Sequence, residues 1–204
     1  MKETTAKKLS LRGAVPLSHF FLRQLVCPGD LAVDATCGNG LDTLLLAELV
    51  GEGGKVWAFD VQPRAIVATR ELLEKEGRRE CVELIEAGHE RLSEFVPKGV
   101  KAAVFNLGYL PGGLSAGALA KAGEHPLVTS PQTTVSALEQ AASLLVAGGI
   151  MVISLYTGHE GGPEEAQAVE SWGAALPPKH YNVWCSRQLN RPPLAPYLVL
   201  VEKV

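Results

Sequence analysis

The sequence predicts an α/β protein with a seven-stranded, mostly parallel sheet that ends in an antiparallel hairpin. Apolar runs of strand length alternate with helical patterns along most of the chain, as in the β-α-β units of parallel sheets. These runs are rich in Val and Ile and lack polar alternation, which is typical of strands covered on both faces. The last two runs are joined by a short loop with no helix, so they must pair as a hairpin.

The elements follow one another in a regular order. We expect strands at residues 31–35, 55–60, 82–86, 101–107, 150–156, 180–187 and 196–202. We expect helices at residues 41–50, 63–75, 89–95, 133–146 and 164–176, and Gly148-Gly149 should end the fourth of these. Seven strands with a terminal hairpin fit the class I S-adenosylmethionine-dependent methyltransferase arrangement, which is Rossmann-like, better than the six-stranded dinucleotide-binding fold.

The length of 204 residues predicts one domain at 1–204, with an N-terminal helical segment at 1–28 and a Rossmann-like core at 29–204. The helical segment has one apolar face, formed by Leu17, Phe20, Phe21, Leu22 and Leu25. No apolar run approaches the roughly 18 residues of a membrane span, and the first residues lack the apolar core of a secretory signal. We therefore expect a cytoplasmic protein without a membrane partner. The four cysteines show no metal-ligand spacing, so no metal is expected.

The charge balance excludes a strongly basic nucleic-acid binder, because 19 Lys and Arg stand against 22 Asp and Glu. The acids are spread unevenly: they crowd between residues 42 and 94 and are absent between residues 171 and 201. The acid-free stretch would not repel an RNA, although a strand pair buried on both faces would also lack acids. An RNA partner on one edge of the protein therefore stays open.

A glycine-rich turn follows the first strand, in the string Asp34-Ala-Thr-Cys-Gly-Asn-Gly40. Gly38 and Gly40 allow the backbone to turn sharply and to approach a ligand closely. Asp60 ends the second strand, where a carboxylate can accept both ribose hydroxyls of an adenosine. A carboxylate at Asp34 would repel a pyrophosphate but attract the cationic groups of S-adenosylmethionine, so it favours a methyl donor over NAD.

Further donor-side candidates lie beside this turn. Asp42 opens the next helix and either contacts the donor or caps the helix. Gln62 lies two residues past Asp60, within reach of the adenosine. Gly88 and His89 follow the third strand, at the tip that borders the adenine in this architecture. His89 could instead cap the short helix that begins there.

The acceptor site is expected after the fourth and fifth strands. Asn106 is followed two residues later by Gly108 and then by Tyr109, a pattern similar to the Asn-Pro-Pro-Tyr loop of amino-group methyltransferases, with Leu107-Gly108 replacing the prolines. Asn106 would orient an amine and Tyr109 would stack on a base, unless the two merely stabilise the loop. Tyr156 and His159 follow the fifth strand and are the candidates for proton transfer.

Four motifs together resemble a known family, from about residue 16 to the end. They are Ala-Val-Asp-Ala-Thr-Cys-Gly-Asn-Gly, Phe-Asn-Leu-Gly-Tyr-Leu-Pro-Gly-Gly, Tyr-Thr-Gly-His and Asn-Arg-Pro-Pro. The chain resembles the small bacterial rRNA methylases, whose characterised members methylate the aminomethyl group of a tRNA wobble uridine to give 5-methylaminomethyl-2-thiouridine. The resemblance implies S-adenosylmethionine as donor, tRNA as substrate, and donor contacts at Asn39, Asp42, Asp60, Gln62 and His89. Gly88 stands where the family is expected to have Ser.

The expected site therefore has two parts. The donor-binding residues are Asp34, Gly38, Asn39, Gly40, Asp42, Thr43, Asp60, Gln62, Gly88 and His89, and the catalytic residues are Asn106, Tyr109, Tyr156 and His159. Three alternatives stay open: a methyltransferase acting on another RNA or a small amine, a non-catalytic module that binds an adenosine nucleotide or RNA, and an NAD-dependent dehydrogenase. The sequence leaves the oligomeric state open, with a homodimer through the leading helix as one option.

Overall fold

The computed structural model describes residues 11–108 and 130–204 of the chain. Its strands are β1 (Leu31–Asp34), β2 (Lys55–Asp60), β3 (Val82–Glu86), β4 (Val100–Leu107), β5 (Leu145–Leu155), β6 (Tyr181–Ser186) and β7 (Tyr197–Lys203). Its α-helices are α1 (Ala14–Leu25), α2 (Leu41–Val50), α3 (Pro63–Lys75), α4 (Leu92–Phe95), α5 (Pro131–Leu144) and α6 (Gly162–Ala175), and a 3-10 helix covers His89–Arg91.

The strands form one sheet in the order β3-β2-β1-β4-β5-β7-β6. Neighbouring strands from β3 to β5 are parallel, whereas β7 runs antiparallel to both β5 and β6. The expected seven strands and terminal hairpin are thus confirmed. Because β7 begins beside the end of β5, the loop between β6 and β7 lies at the same sheet edge as the carboxyl ends of the parallel strands.

The sheet separates two apolar layers, which explains why its central strands lack polar alternation. One layer packs α4, α5 and α6 against a face that includes Phe59, Phe105 and Met151. The other packs α1, α2 and α3 against the opposite face, with Leu22 and Leu46 fully buried. The edge strand β6 is much less buried than the central strands, because four of its six residues are exposed.

Local sequence signals account for several helix ends. Pro63 and Pro131 open α3 and α5 at a position where a helix needs no backbone N–H donor. The Ser130 side chain caps α5 by accepting a hydrogen bond from the backbone N–H of Thr133 at 3.3 Å. Gly51 ends α2 with φ +62°.

The fourth expected helix ends earlier than the sequence suggests. It stops at Leu144, and β5 begins at Leu145 rather than at residue 150. Gly148 and Gly149 therefore lie within the strand, where the pairing register with β4 shifts between Val100 and Ala102. Gly148 has φ +70°, and a Cβ on Gly149 would come within 2.9–3.2 Å of backbone carbonyls, so the glycines mark an irregular strand instead of a helix stop.

The described part of the chain contains no helix that is both long and apolar enough to cross a membrane.

Candidate active site

The glycine-rich turn between β1 and α2 is held by α3 and by the end of β2. Gly38 and Gly40 have φ values of +53° and +81°, which residues with a Cβ rarely adopt. A Cβ on Gly40 would lie 3.0 Å from Thr69, and the Thr69 hydroxyl donates to the Gly38 carbonyl at 3.1 Å. The turn therefore needs glycine both for its dihedral angles and for its packing against α3.

Asp60 ends β2 directly beside this turn. Its Oδ2 accepts the Gly38 backbone N–H at 3.0 Å, and its Oδ1 accepts that of Gln62 at 2.9 Å. Burial raises the pKa of Asp60, and these two backbone donors limit the rise. Each carboxylate oxygen can accept a further hydrogen bond. The position is thus suited to a ligand with two neighbouring hydroxyl groups.

Asp34 has a different environment from the one that the sequence suggested. Its side chain is fully buried, its Oδ2 accepts from the Thr43 hydroxyl at 2.6 Å, and its Oδ1 accepts the Thr36 backbone N–H at 3.2 Å. Burial raises the pKa of Asp34 to about 7, with a further contribution from the charge of Asp42. Asp34 and Thr43 therefore stabilise the turn from inside the protein, where neither side chain is open to a ligand.

Asp42 connects three elements of the fold. Its Oδ1 lies 2.5 Å from Nε2 of His19 on α1, and its Oδ2 accepts the side-chain N–H of Asn106 at 2.7 Å. Both carboxylate oxygens of Asp42 are thus bonded to side chains of other elements. Asn106 is held a second time, because its backbone N–H donates to the Thr36 hydroxyl at 2.8 Å.

The expected adenine end lies at the tip of β3. His89 is buried, its ring lies edge-on to Phe105 with centroids 6.0 Å apart, and it bonds to the backbone of Ala35. Burial lowers the pKa of His89, so the ring is neutral near pH 7. A Cβ on Gly88 would collide with the Glu90 carboxylate, so Glu90 fills the space that a side chain at position 88 would use. Gln62 is partly buried and Asn39 is exposed.

The acceptor side brings the ends of β4 and β5 together. Gly108 has φ +122°, and a Cβ there would lie 2.5 Å from Nε2 of His159 and 2.9 Å from the Tyr156 carbonyl oxygen. Nδ1 of His159 donates to the Glu160 carbonyl at 2.9 Å, and Nε2 is buried with no hydrogen-bond partner among the residues that the structure describes. Tyr109 lies outside the described residues.

The hairpin loop also reaches this edge. The Thr157 hydroxyl donates to the Leu194 carbonyl at 3.2 Å, so the segment after Asn190-Arg-Pro-Pro193 lies beside the residues that end β5. The acid-free stretch between residues 171 and 201 includes this loop. The exposed side chains Leu189 and Arg191 lie on it.

Sequence reasoning missed three polar side chains. His19 gives no sequence signal, because its helix is recognised from the sequence by its apolar face. Thr36 lies inside the donor turn, and its contact with Asn106 depends on β1 and β4 being neighbours. Glu165 is buried on α6, where its Oε1 accepts from the Thr134 hydroxyl at 2.6 Å, and an acid in the first turn of a helix gives no sequence signal of burial.

The residues of the donor side fit S-adenosylmethionine. A backbone turn without side chains at positions 38 and 40 permits close approach, Asp60 could offer two acceptor oxygens to a ribose, and His89 lies at the tip of β3. Asp42 is a carboxylate at the opposite end of the turn, where it is bonded to Asn106.

Comparisons with known proteins agree with this geometry. Residues 56–202 match the family described as “Putative rRNA methylase”. A protein of Arabidopsis thaliana named tRNA (mnm(5)s(2)U34)-methyltransferase, chloroplastic, is 38% identical over 200 residues, which cover 93% of this chain and 69% of that protein.

Solved structures give the same result. An rRNA-methylase structure from Clostridium thermocellum has a TM-score of 0.88 and 38% identity, covering 96% of this chain and 100% of that one. A methyltransferase from Streptococcus mutans, solved in complex with SAH, has a TM-score of 0.82 and 36% identity, with the same coverage. The chain belongs to the rRNA methylase family and is a methyltransferase that uses S-adenosylmethionine.

Proposed function

We propose that this enzyme methylates the primary amine of 5-aminomethyl-2-thiouridine at the wobble position of tRNA. The name of the Arabidopsis relative, at 38% identity over 93% of this chain, supports this substrate. The observation that carries the proposal is the hydrogen bond from the Asn106 side-chain N–H to Asp42. A carboxylate can only accept, so this bond turns the amide oxygen of Asn106 away from Asp42 and leaves it to accept from a substrate N–H.

His159 is the group that we assign to proton removal. The Glu160 carbonyl can only accept, so Nδ1 of a neutral His159 carries the proton, and the buried Nε2 keeps a lone pair that no described residue satisfies. Tyr156 is less suited to this task, because burial raises its pKa and the nearby charge of Asp42 raises it further. A phenol that stays protonated can contact the substrate but cannot take a proton from it.

The chemistry requires little more from the protein. S-adenosylmethionine supplies an electrophilic methyl group on a sulfonium sulfur. An alkyl ammonium has no lone pair, so His159 takes one proton and the amine nitrogen becomes nucleophilic. Asn106 holds that nitrogen in place, and positioning supplies much of the rate enhancement.

The charge distribution supports an RNA substrate. The hairpin loop at the acceptor edge lies within the stretch that contains no acids, and it carries Arg191. Trp184 on β6 is 71% exposed, which suits stacking on a nucleotide base. With a net charge of −3, binding to tRNA should be modest and should weaken as salt increases.

Methyl transfer to defined acceptors tests the proposal. Purified protein and labelled S-adenosylmethionine are incubated with tRNA that lacks only the final wobble methyl group, with rRNA and with the free nucleoside. We expect label only in the tRNA, and mass spectrometry should identify 5-methylaminomethyl-2-thiouridine. Transfer to rRNA instead, which the family description would favour, or no transfer to tRNA, rejects the proposal.

The role of Asn106 is tested by Asn106→Ala. Without the amide oxygen the amine is held less well, so we expect kcat to fall about 100-fold while S-adenosylhomocysteine binds as before. Asn182→Ala is the matched control, because Asn182 is exposed on β6 and bonds to Glu202. Full turnover by Asn106→Ala would show that the acceptor assignment is wrong.

A further inference from the structure

We infer that His19, on the N-terminal helix α1, is a positioning residue of the acceptor site that acts through Asp42 on the amide of Asn106. The inference rests on the proposed function of Asn106 as the group that holds the substrate amine. His19 lies on the helix that precedes the first strand, so the acceptor site is incomplete without that segment.

The hydrogen-bond chain is short, and both of its bonds are donated to Asp42. Nε2 of His19 lies 2.5 Å from Oδ1 of Asp42, and Nδ2 of Asn106 lies 2.7 Å from Oδ2. Because the ionised carboxylate only accepts, His19 and Asn106 must both donate to it. The side chains of His19 and Asp42 are 29% and 12% exposed, so limited access of water strengthens both bonds.

The amide of Asn106 needs this support. The side-chain nitrogen and oxygen of an asparagine have nearly the same shape, so a half-turn of the amide exchanges a donor for an acceptor. A carboxylate fixed on one side selects the orientation with the oxygen facing the substrate. If Asp42 could rotate, it would lose its contact with Asn106 and that selection would weaken.

The core holds His19 in place. Its neighbours Ser18 and Leu22 on the inner face of α1 are 2% and 0% exposed. This helix packs against α2, which carries Asp42, and against β4, which carries Asn106. The backbone of His19 is therefore held in place, and the bond from its ring restrains the rotation of the Asp42 side chain.

Three substitutions separate positioning from simple packing. His19→Ala removes the ring and the donor, His19→Phe keeps a ring but removes the donor, and His19→Gln keeps a donor near the position of Nε2. We expect kcat for tRNA methylation to fall about tenfold in the Ala and Phe variants, with S-adenosylhomocysteine affinity retained, and to recover largely in the Gln variant. Gln24→Ala, on the exposed side of the same helix, should behave as wild type.

A second readout does not depend on activity. The side-chain NH₂ resonances of Asn106 can be identified by their loss in Asn106→Ala, and their proton exchange with water reports the bond to Asp42. We expect faster exchange in His19→Ala and His19→Phe and wild-type exchange in His19→Gln.

The outcomes distinguish the two proposals. Wild-type kcat and wild-type exchange in His19→Phe would overturn the inference, as would a loss of kcat that His19→Gln does not restore. If wild-type enzyme fails to methylate tRNA while exchange at Asn106 still depends on His19, the proposed substrate is wrong and the role of His19 in orienting Asn106 stands.

Discussion

The donor side and the acceptor side of this site are built in different ways. On the donor side, backbone groups do most of the work: the Gly38 and Gln62 N–H groups hold Asp60, and Gly40 packs against α3. On the acceptor side, side chains from distant segments hold Asn106: Asp42 accepts from its side chain and Thr36 from its backbone, and these residues are 64 and 70 positions away in sequence. Substitutions should therefore be able to damage one half of the site without damaging the other.

His159→Ala is expected to give the largest loss of methyl transfer without a loss of donor binding. Removal of the proton acceptor should lower kcat about 100-fold near neutral pH and leave S-adenosylhomocysteine affinity unchanged. An alkyl amine loses its proton without help as the pH approaches about 10, so the defect should shrink as the pH rises. Rates measured across this range check the prediction.

His180→Ala is the control for His159→Ala, because His180 is an exposed histidine outside the site. A defect of constant size at all pH values would contradict the assignment of His159 as the base. A similar defect in His180→Ala would show that the assay does not report on the acceptor edge.

Asp60→Ala is expected to have the opposite effect, because it should weaken donor binding. Loss of a charged acceptor for the ribose hydroxyls, together with looser backbone at Gly38 and Gln62, should weaken S-adenosylhomocysteine binding by about 2–3 kcal/mol, or about 100-fold in Kd. Calorimetry measures this directly. Glu83→Ala removes an exposed acid from β3 and should bind as wild type, and an unchanged Kd in Asp60→Ala would refute the donor assignment.

A smaller effect is expected from Gly108→Ala, at the contact between β4 and His159. The new Cβ would lie 2.5 Å from Nε2 of His159, in a backbone conformation with φ +122°. We expect a stability loss of about 1–3 kcal/mol and a fall in kcat of about tenfold, because His159 is displaced. Thermal unfolding and steady-state rates measure the two effects.

Gly29→Ala is the control that introduces backbone strain without displacing His159. Gly29 also has a positive φ, +92°, but a Cβ there would meet nothing within 4 Å. The Gly29→Ala variant should lose stability, as Gly108→Ala does, but should keep the kcat of wild type. Equal loss of kcat in both variants would mean that lower stability, and not the contact with His159, causes the defect.

The contrast between local backbone contacts on the donor side and long-range contacts on the acceptor side also explains which features the sequence could predict. The sheet, the hairpin, the glycine turn and the position of Asp60 follow from local patterns and from the fixed spacing of a β-α-β unit. Asn106, Tyr156 and His159 are predicted as site residues because they lie at or just beyond the ends of β4 and β5, and the carboxyl ends of parallel strands share one edge. His19 could not be found in this way, since its contact with Asp42 depends on how two helices pack. The environment of Asp34 was missed for a related reason, because burial at a strand end depends on which side the carboxylate faces.

The effect expected at Asp34 is confined to stability and leaves both halves of the site unchanged in activity. Its pKa is about 7 in the folded protein against 3.8 for the free side chain, so between these values the folded state keeps a proton that the unfolded state has lost. Stability contributed by this proton is fully present below about pH 4 and is lost as the pH rises to 7, at up to about 1.4 kcal/mol per pH unit.

Asp34→Asn cannot titrate at this position. In denaturant unfolding between about pH 5 and 8, the free energy of unfolding of the variant should therefore rise relative to that of wild type as the pH increases. Glu48→Gln, which neutralises an exposed acid on α2, should follow the wild-type pH dependence. If the curves for wild type and Asp34→Asn run parallel, Asp34 is ionised throughout this range, and the donor turn is held by a full buried charge.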